Sequence, residues 1–355
     1  MRSSTERRAR LSRALWLLVP LLGFAGAESI ARRALPPHTE WYHGLEGKPA
    51  EVLFLGSSRV AAAVDSATFR RTIAELTGKP ARVRNLGQGY STPIEHTLGV
   101  RNWLASRTST GAPFHCFVEL TGGVPAPATW RGAGWVHPDQ PQILLDVVRT
   151  RDLPALWRSG EPAETKAQIT LRHFLDPIQL LTRREALRQR FLDLLETDVV
   201  KRLEPLEPAS VAKAGADLRA TGGIDQRDES VARARALAQH AAEQVREADY
   251  LVDWDRQVLA DLVSMVQAAG GDVVFFETPL ANVFRRAYDL PAARAGFQRW
   301  ARARGLTVLD PVASFPDDDF PDLWHLAASR APAYTEALAR TWIGSTHQAP
   351  VKSDS

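Results

Sequence analysis

The strongest constraint on the fold of this chain is a series of short apolar runs that alternate with helical stretches. Most runs are rich in β-branched or aromatic residues, and glycine or proline follows each one closely, as is typical of buried strands. The five runs are EVLFL at 51–55, RVRNL at 82–86, HCFVEL at 115–120, DVVFFET at 272–278 and LTVL at 306–309. Strands of this kind with helices between them predict a five-stranded parallel sheet in a doubly wound α/β fold.

The spacing of the runs predicts the domain organisation. Helices are expected at 66–76, 94–106, 253–269, 292–304 and 331–342. About 150 residues separate the third strand from the fourth, far more than one crossover helix needs. We therefore interpret 45–130 and 250–345 as the α/β domain, 131–249 as a helical insertion or lid, and 346–355 as a disordered polar tail.

The amino terminus resembles a secretory signal. Five arginines precede an uncharged run from Ala14 to Ala27, which ends in the small residues Ala25, Gly26 and Ala27. This pattern predicts that residues 1–30 are a signal peptide cleaved after Ala27 or an uncleaved membrane anchor. Either alternative exports the rest of the chain to the periplasm or the cell envelope.

Charge and cysteine content narrow the possible binding partners and covalent cross-links of the chain. The net charge is +3 and the pI is near 9.2, and most of the cationic residues are arginines spread along the chain among 41 acidic residues. In a nucleic-acid-binding protein the cationic residues cluster on one face, so no nucleic-acid partner is expected here. The single cysteine, Cys116, excludes an intramolecular disulfide and lies in a run expected to be buried.

A serine follows the first predicted strand, in the sequence Gly56-Ser57-Ser58-Arg59. The carboxyl ends of parallel strands are where such folds bind ligands, and glycine permits a tight turn there. Serine at this position also commonly caps a helix. By itself, the motif leaves a turn residue and a nucleophile as alternatives.

A second motif, Asp322-Leu323-Trp324-His325, precedes the last predicted helix. A serine nucleophile needs a base, and the base needs an acid that fixes its tautomer, so Asp322 and His325 fit those roles. The upstream acids Asp317 to Asp319 are interpreted as a solvated turn, because they lack the spacing of a calcium loop. No metal and no cofactor are expected, since neither a zinc pattern nor a nucleotide-binding motif is present.

Together, the GSS and DLWH motifs resemble the first and last blocks of the SGNH, or GDSL-like, hydrolase superfamily. The resemblance covers roughly 50–130 and 250–345 and implies a flavodoxin-like sheet. It implies Ser58 as the nucleophile, His325 as the general base and Asp322 as the orienting acid. Ser57 stands where the motif of the family has aspartate.

The resemblance also implies an oxyanion hole, and here the chain departs from the family. The backbone amides of Ser58 and Gly89 are the expected donors, with Gly87 as the alternative to Gly89. The family places an asparagine after the third strand, whereas this chain has Glu119-Leu120-Thr121-Gly122-Gly123-Val124. An amide of Gly122 or Gly123, or another side chain, is expected to substitute for the asparagine, unless the protein is weakly active or inactive. One lost donor costs about 100-fold or more in rate.

Several residues near the predicted site are candidate substrate contacts: Arg59, Trp324 and Trp130, the last of them through stacking on a sugar. His96, His137 and Glu119 are interpreted as structural residues. The expected activity is that of an esterase or O-acyltransferase on an acylated small molecule or on exported or envelope glycans. The alternative is a non-catalytic module that binds glycan or scaffolds an envelope assembly, and an uncleaved anchor would make the membrane a partner.

Overall fold

The computed structural model describes residues 49–89, 91–107, 113–125, 144, 147–175, 232–233, 235–310 and 314–347. The chain divides into two compact units, Met1–Thr39 with Pro162–Arg219 and Glu40–Glu161 with Ala220–Ser355. The described part of the first unit contains one helix, Ala163–Leu175. The predicted signal segment, most of the predicted insertion and the tail after residue 347 lie outside the described residues.

The second unit is built on a parallel sheet. Its strands are β1 (Val52–Gly56), β2 (Val83–Gly87), β3 (His115–Leu120), β4 (Asp272–Glu277) and β5 (Thr307–Val308). They lie in the order β2-β1-β3-β4-β5, and every neighbouring pair is parallel. The predicted fold class is confirmed: this is a flavodoxin-like, five-stranded α/β sheet. The strand order reverses beside β1, which places a ligand-binding crevice at the carboxyl end of that strand.

Eight helices are described in the second unit. They are α1 (Ser58–Ala63), α2 (Ser66–Thr77), α3 (Pro93–Ser106), α4 (Leu153–Arg158), α5 (Val258–Ala268), α6 (Asn282–Ala287), α7 (Pro291–Ala303) and α8 (Ala331–His347). A further helical stretch covers 235–243. None of the helices among the described residues is both long and apolar enough to cross a lipid bilayer.

The strands are apolar because helices cover both faces of the sheet. All five residues of β1 are buried. On one face, the rings of Phe54 and Phe117 pack 4.7 Å apart and contact Phe69 of α2. On the other face, the ring of Phe275 lies 5.0 Å from that of Phe297 in α7. Burial of these rings supplies the main stabilisation of the sheet.

Local signals set several of the helix boundaries. The Asp65 carboxylate accepts hydrogen bonds from the amides of Ala67 and Thr68 and so begins α2, which ends at Gly78 with φ 74°. Thr92 and Glu95 form a capping box at the start of α3. The helix expected from 253 starts at Val258 instead, because the Asp253 side chain caps a separate 3-10 turn over Trp254–Arg256.

Helix α1 is not predicted from the sequence, and it packs directly on β2. The Asn85 side chain in β2 donates hydrogen bonds to the carbonyls of Val60 (3.0 Å) and Val64 (2.8 Å), which satisfies carbonyls at the carboxyl end of α1. A Cβ atom at Gly87 would lie 2.4 Å from the backbone nitrogen of Ala61. The glycine at the end of β2 therefore lets the helix that begins at Ser58 approach the sheet.

We predict that Gly87→Ala lowers the free energy of unfolding by about 1–3 kcal/mol, because the added methyl group overlaps backbone that is held on both sides. Gly344→Ala is the control, since a Cβ atom there meets no atom within 4 Å. Urea denaturation followed by circular dichroism measures both changes. An unchanged midpoint for Gly87→Ala would contradict the close packing of α1 on β2.

Candidate active site

The turn after β1 presents Ser58 at the switch point of the sheet. Ser57 caps α1, and its hydroxyl oxygen accepts a hydrogen bond from the amide of Arg59 at 3.2 Å. Ser58 is the first residue of the helix and is half-buried. Ser57 is therefore the helix cap, and the hydroxyl of Ser58 is not used in capping.

Ser58, His325 and Asp322 form a continuous hydrogen-bonded chain. His325 Nε2 lies 2.8 Å from Ser58 Oγ, and His325 Nδ1 lies 2.7 Å from Asp322 Oδ2. An ionised carboxylate can only accept, so Nδ1 carries the proton and Nε2 accepts from the serine hydroxyl. The structure thus brings the three residues together in the arrangement of a serine nucleophile, a base and an orienting acid.

The loop that carries Asp322 and His325 is held by its own backbone. Asp322 Oδ1 accepts hydrogen bonds from the amides of Trp324 (2.9 Å) and His325 (2.8 Å). Leu323 has φ 62°, in the left-handed region, which costs a non-glycine residue about 1–2 kcal/mol. Its side chain is 8% exposed and belongs to the hydrophobic core, so burial offsets the backbone strain.

The same contacts keep Asp322 ionised. Burial raises the pKa of Asp322, but the hydrogen bonds from the His325 side chain and from the amides of His325 and Trp324 outweigh it. The net effect is a lowered pKa. The Asp322 carboxylate is therefore ionised at neutral pH, and its negative charge can stabilise an imidazolium at His325.

Glu119 organises the turn that presents the serine. From the buried strand β3, its Oε2 accepts the Ser57 amide at 2.7 Å, and its Oε1 accepts the Ser57 hydroxyl at 3.1 Å and the Thr278 hydroxyl at 2.9 Å. Oε1 also lies 3.0 Å from Arg59 Nη2. The sequence indicates only a structural role for Glu119. In the structure that role is wider, because its contacts join β1, β3 and the end of β4. A carboxylate in an otherwise apolar strand was the sequence signal for this role.

Arg59, expected at the substrate, is committed to the protein interior. Its side chain is 7% exposed, and Nη2 donates to the hydroxyl of Thr121 as well as to Glu119. The guanidinium carbon lies 5.5 Å from the centre of the Trp324 ring. Arg59 therefore couples the Glu119 network to the loop of His325 rather than presenting a free charge.

Two of the expected oxyanion donors lie at Ser58. A Cβ atom at Gly89 would be 3.6 Å from Ser58 Cβ, so this glycine adjoins the nucleophile. Within the part of the chain that the structure describes, neither the Ser58 amide nor the Gly89 amide donates a hydrogen bond. Gly87, the alternative, instead packs against the backbone of α1.

Gly122, the third expected donor, is engaged elsewhere. It adopts φ 62° against Tyr288, and its amide donates to the carboxyl of Glu277. Its carbonyl oxygen accepts from Arg294 Nε at 3.2 Å and Nη2 at 3.1 Å. Gly123 also packs against Arg294. The backbone groups of Gly122 are thus directed toward β4 and α7.

The remaining candidate residues either pack against other side chains or lie outside the described residues. The Trp324 ring packs edge-to-face on Phe284, with centroids 4.5 Å apart, and only part of it is open to solvent. Trp130 and His137 lie outside the described residues. In the expected acidic turn, Asp317 accepts from the amide of Asn282 at 2.6 Å and Asp319 accepts from Arg330 at 2.7 Å. Those two acids are structural rather than simply solvated.

Among the described residues, no group of three His, Cys, Asp or Glu side chains is placed to hold a metal ion. No protein-family model matches the chain, and no curated protein matches it. The resemblance to SGNH hydrolases therefore rests on the motifs at Ser58 and His325 and on the order in which they follow the strands.

His96 supports the floor of the site from α3. Its Nε2 lies 3.0 Å from Ser91 Oγ and 3.2 Å from the carbonyl oxygen of Gly56, at the end of β1. Burial lowers the pKa of His96 from 6.5 to about 4, although the contact with Gly56 acts in the opposite direction. The imidazole is therefore neutral in the folded protein at neutral pH.

We predict that the free energy of unfolding falls as the pH drops from 6.5 toward 4. In this range His96 is protonated in the unfolded chain but stays neutral in the folded protein. The loss is a few kcal/mol, at about 1.4 kcal/mol for each unit of pKa shift. His96→Gln removes this component of the slope, whereas His240→Gln, at an exposed histidine, retains it. Urea titrations at a series of pH values measure the slope, and equal slopes in wild type and His96→Gln would contradict the assignment.

We predict that Glu119→Gln destabilises the fold by about 3 kcal/mol or more. The change leaves Arg59 buried without its counter-charge, and the new side-chain NH₂ group faces hydrogen-bond donors that the carboxylate now accepts. Adding Arg59→Met to this variant recovers part of the loss. Glu51→Gln, which breaks the exposed pair with Arg82, is the control and costs less than about 1 kcal/mol. Similar costs for Glu119→Gln and Glu51→Gln in urea denaturation would show that the buried network is not the organising one.

Proposed function

We propose that this protein is a serine-dependent ester hydrolase or O-acyltransferase of the SGNH type. The observation that carries the proposal is the hydrogen-bonded chain from Ser58 Oγ through His325 to Asp322. Its place at the carboxyl end of β1, beside the reversal in strand order, is where a flavodoxin-like sheet binds ligands.

The first half of the reaction forms an acyl-enzyme. Ser58 Oγ attacks the acyl carbonyl carbon while its proton moves to His325 Nε2, and the Asp322 carboxylate stabilises the resulting imidazolium. The carbonyl oxygen becomes an oxyanion that accepts hydrogen bonds from the amides of Ser58 and Gly89. Collapse of the intermediate breaks the bond to the alcohol oxygen, which takes the proton from His325 and leaves.

The second half of the reaction transfers the acyl group from Ser58. His325 accepts a proton from the incoming hydroxyl, which attacks the acyl carbon. Collapse of the second intermediate breaks the bond to Ser58 Oγ, which takes the proton back from His325. Water as the acceptor releases the acid, and a sugar hydroxyl produces a new ester. The proposed substrates are acyl esters on exported or envelope glycans, in keeping with the signal-like sequence at residues 1–30.

The alternative proposal, a weakly active or non-catalytic binding module, draws on the segment after β3. Gly122 donates its amide to Glu277, and the Thr121 hydroxyl accepts from Arg59. This segment therefore offers the oxyanion hole less than the family asparagine would. The alternative predicts that the alanine variant of Ser58 retains full function.

We predict that a fluorophosphonate probe labels the wild-type protein and that Ser58→Ala abolishes the labelling. Ser58→Ala and His325→Gln are each expected to lower kcat/KM on short acyl esters by roughly 10³-fold or more, since either change removes the nucleophile or its base. Intact-protein mass spectrometry and ester turnover measure the two effects. Asp322→Asn is expected to lower kcat while leaving the fold intact.

Ser264→Ala is the matched control, because Ser264 is exposed on α5, and its labelling and turnover are expected to equal those of the wild type. Labelling that persists in Ser58→Ala would refute Ser58 as the nucleophile. A folded wild-type protein that neither labels nor turns over short esters would support the binding module instead.

A further inference from the structure

A second feature of the same unit is a cleft of about 1100 Å³ at the carboxyl ends of β3, β4 and β5. Helices α6 and α7 form its walls, and Leu120 and Thr278 form part of its floor. None of Ser58, Asp322 and His325 is among the lining residues. The volume is that of a ligand-binding site and exceeds what one short acyl group fills.

The walls of the cleft carry four arginines. Arg285 and Arg286 come from α6, and Arg294 and Arg302 come from α7. Arg294 is fixed in place by the carbonyl of Gly122, and Arg285 is tethered to the carbonyl of Leu280 at 3.3 Å. Within the described ranges, Arg286 and Arg302 have neither a hydrogen bond nor an ion pair, so both guanidinium groups are available to a ligand.

The acids of the cleft leave this positive charge in excess. Glu277, Asp289 and Asp310 also line it. The Glu277 carboxyl is occupied by the Gly122 amide, and burial raises its pKa despite the nearby arginines Arg294, Arg59 and Arg285. Asp289 and Asp310 are exposed. Four guanidinium groups therefore face three carboxyl groups, of which Glu277 has a raised pKa.

The cleft connects to the proposed nucleophile through a shared contact. Thr278 in its floor donates to Glu119 Oε1, and the same oxygen accepts from the hydroxyl of Ser57, the residue before Ser58. Asn282 and Gln298 add neutral side-chain amides to the lining, which suit the hydroxyl groups of a sugar. The cleft is thus placed to hold the part of a substrate that extends away from the ester.

We propose that this cleft binds an anionic group of the substrate, a carboxylate or phosphate carried by the glycan whose ester reaches Ser58. Planar guanidinium groups on two helices match such oxyanions in charge and geometry. The proposal rests on the proposed function for the identity of the bound molecule as substrate, and on the arginine-lined cleft alone for anion binding.

The test is direct binding to the full-length Ser58→Ala protein, so that turnover does not interfere. Isothermal titration calorimetry compares oligogalacturonate, an uncharged oligogalactoside of the same length, and inorganic phosphate. Binding of an anionic probe but not of the uncharged one is expected, with affinity that falls as salt is added. Preference for oligogalacturonate assigns the anion as carboxylate, and preference for phosphate assigns it as phosphate.

Variants locate the binding in the cleft. Arg286→Gln with Arg302→Gln is expected to weaken binding about tenfold or more, and Arg286→Lys with Arg302→Lys less, because the charge remains. Arg299→Gln is the control on the same helix, since Arg299 is exposed and does not line the cleft, and it leaves the Kd unchanged. Circular dichroism checks that each variant is folded.

Equal affinity for charged and uncharged probes, or a folded double glutamine variant that binds as the wild type does, would overturn the proposal. The two proposals fail separately. Fluorophosphonate labelling of Ser58 without anion binding refutes the cleft alone, whereas anion binding that needs Arg286 and Arg302 in a protein that does not label refutes the serine chemistry alone.

Discussion

The buried ion pair of Glu119 and Arg59 is the interaction on which the site depends. Two opposite charges, each 7% exposed, lie 3.0 Å apart in the interior, where an unpaired charge would be strongly destabilising. Glu119 also accepts hydrogen bonds from Ser57 and Thr278, and Arg59 stacks near Trp324. The pair therefore fixes the turn that presents Ser58 relative to both the centre of the sheet and the loop of His325.

The loop of Asp322 and His325 adds a second constraint, in which local strain is offset by burial. Leu323 adopts a left-handed conformation, and its side chain lies in the hydrophobic core. This conformation lets one carboxylate oxygen of Asp322 accept two backbone amides while the other accepts from His325 Nδ1. The imidazole is thereby oriented from its own loop, and Ser58, 267 positions away, meets it across the edge of the sheet.

The carboxyl edge of the sheet carries two separate features. The end of β1 carries the serine, whose surroundings are buried and hydrogen-bonded. The ends of β4 and β5 open into the arginine-lined cleft, whose charges reach solvent. Thr278 belongs to both regions, since it lines the cleft and donates to Glu119. The proposed chemistry and the proposed anion recognition are thus attached to different strands of one sheet, with β3 between them.

The sequence by itself determined the sheet and the residues that meet at Ser58. Apolar strands predict a parallel sheet because both faces must be covered, and motifs at the ends of parallel strands converge at one edge. What only the tertiary structure decided was how neighbouring side chains pair. It turned Arg59 and Trp324 inward, gave the Gly122 amide to Glu277 and gathered the cleft arginines from two helices. Such pairings depend on distances between segments far apart in the chain, and those distances are fixed only when the sheet and its helices pack.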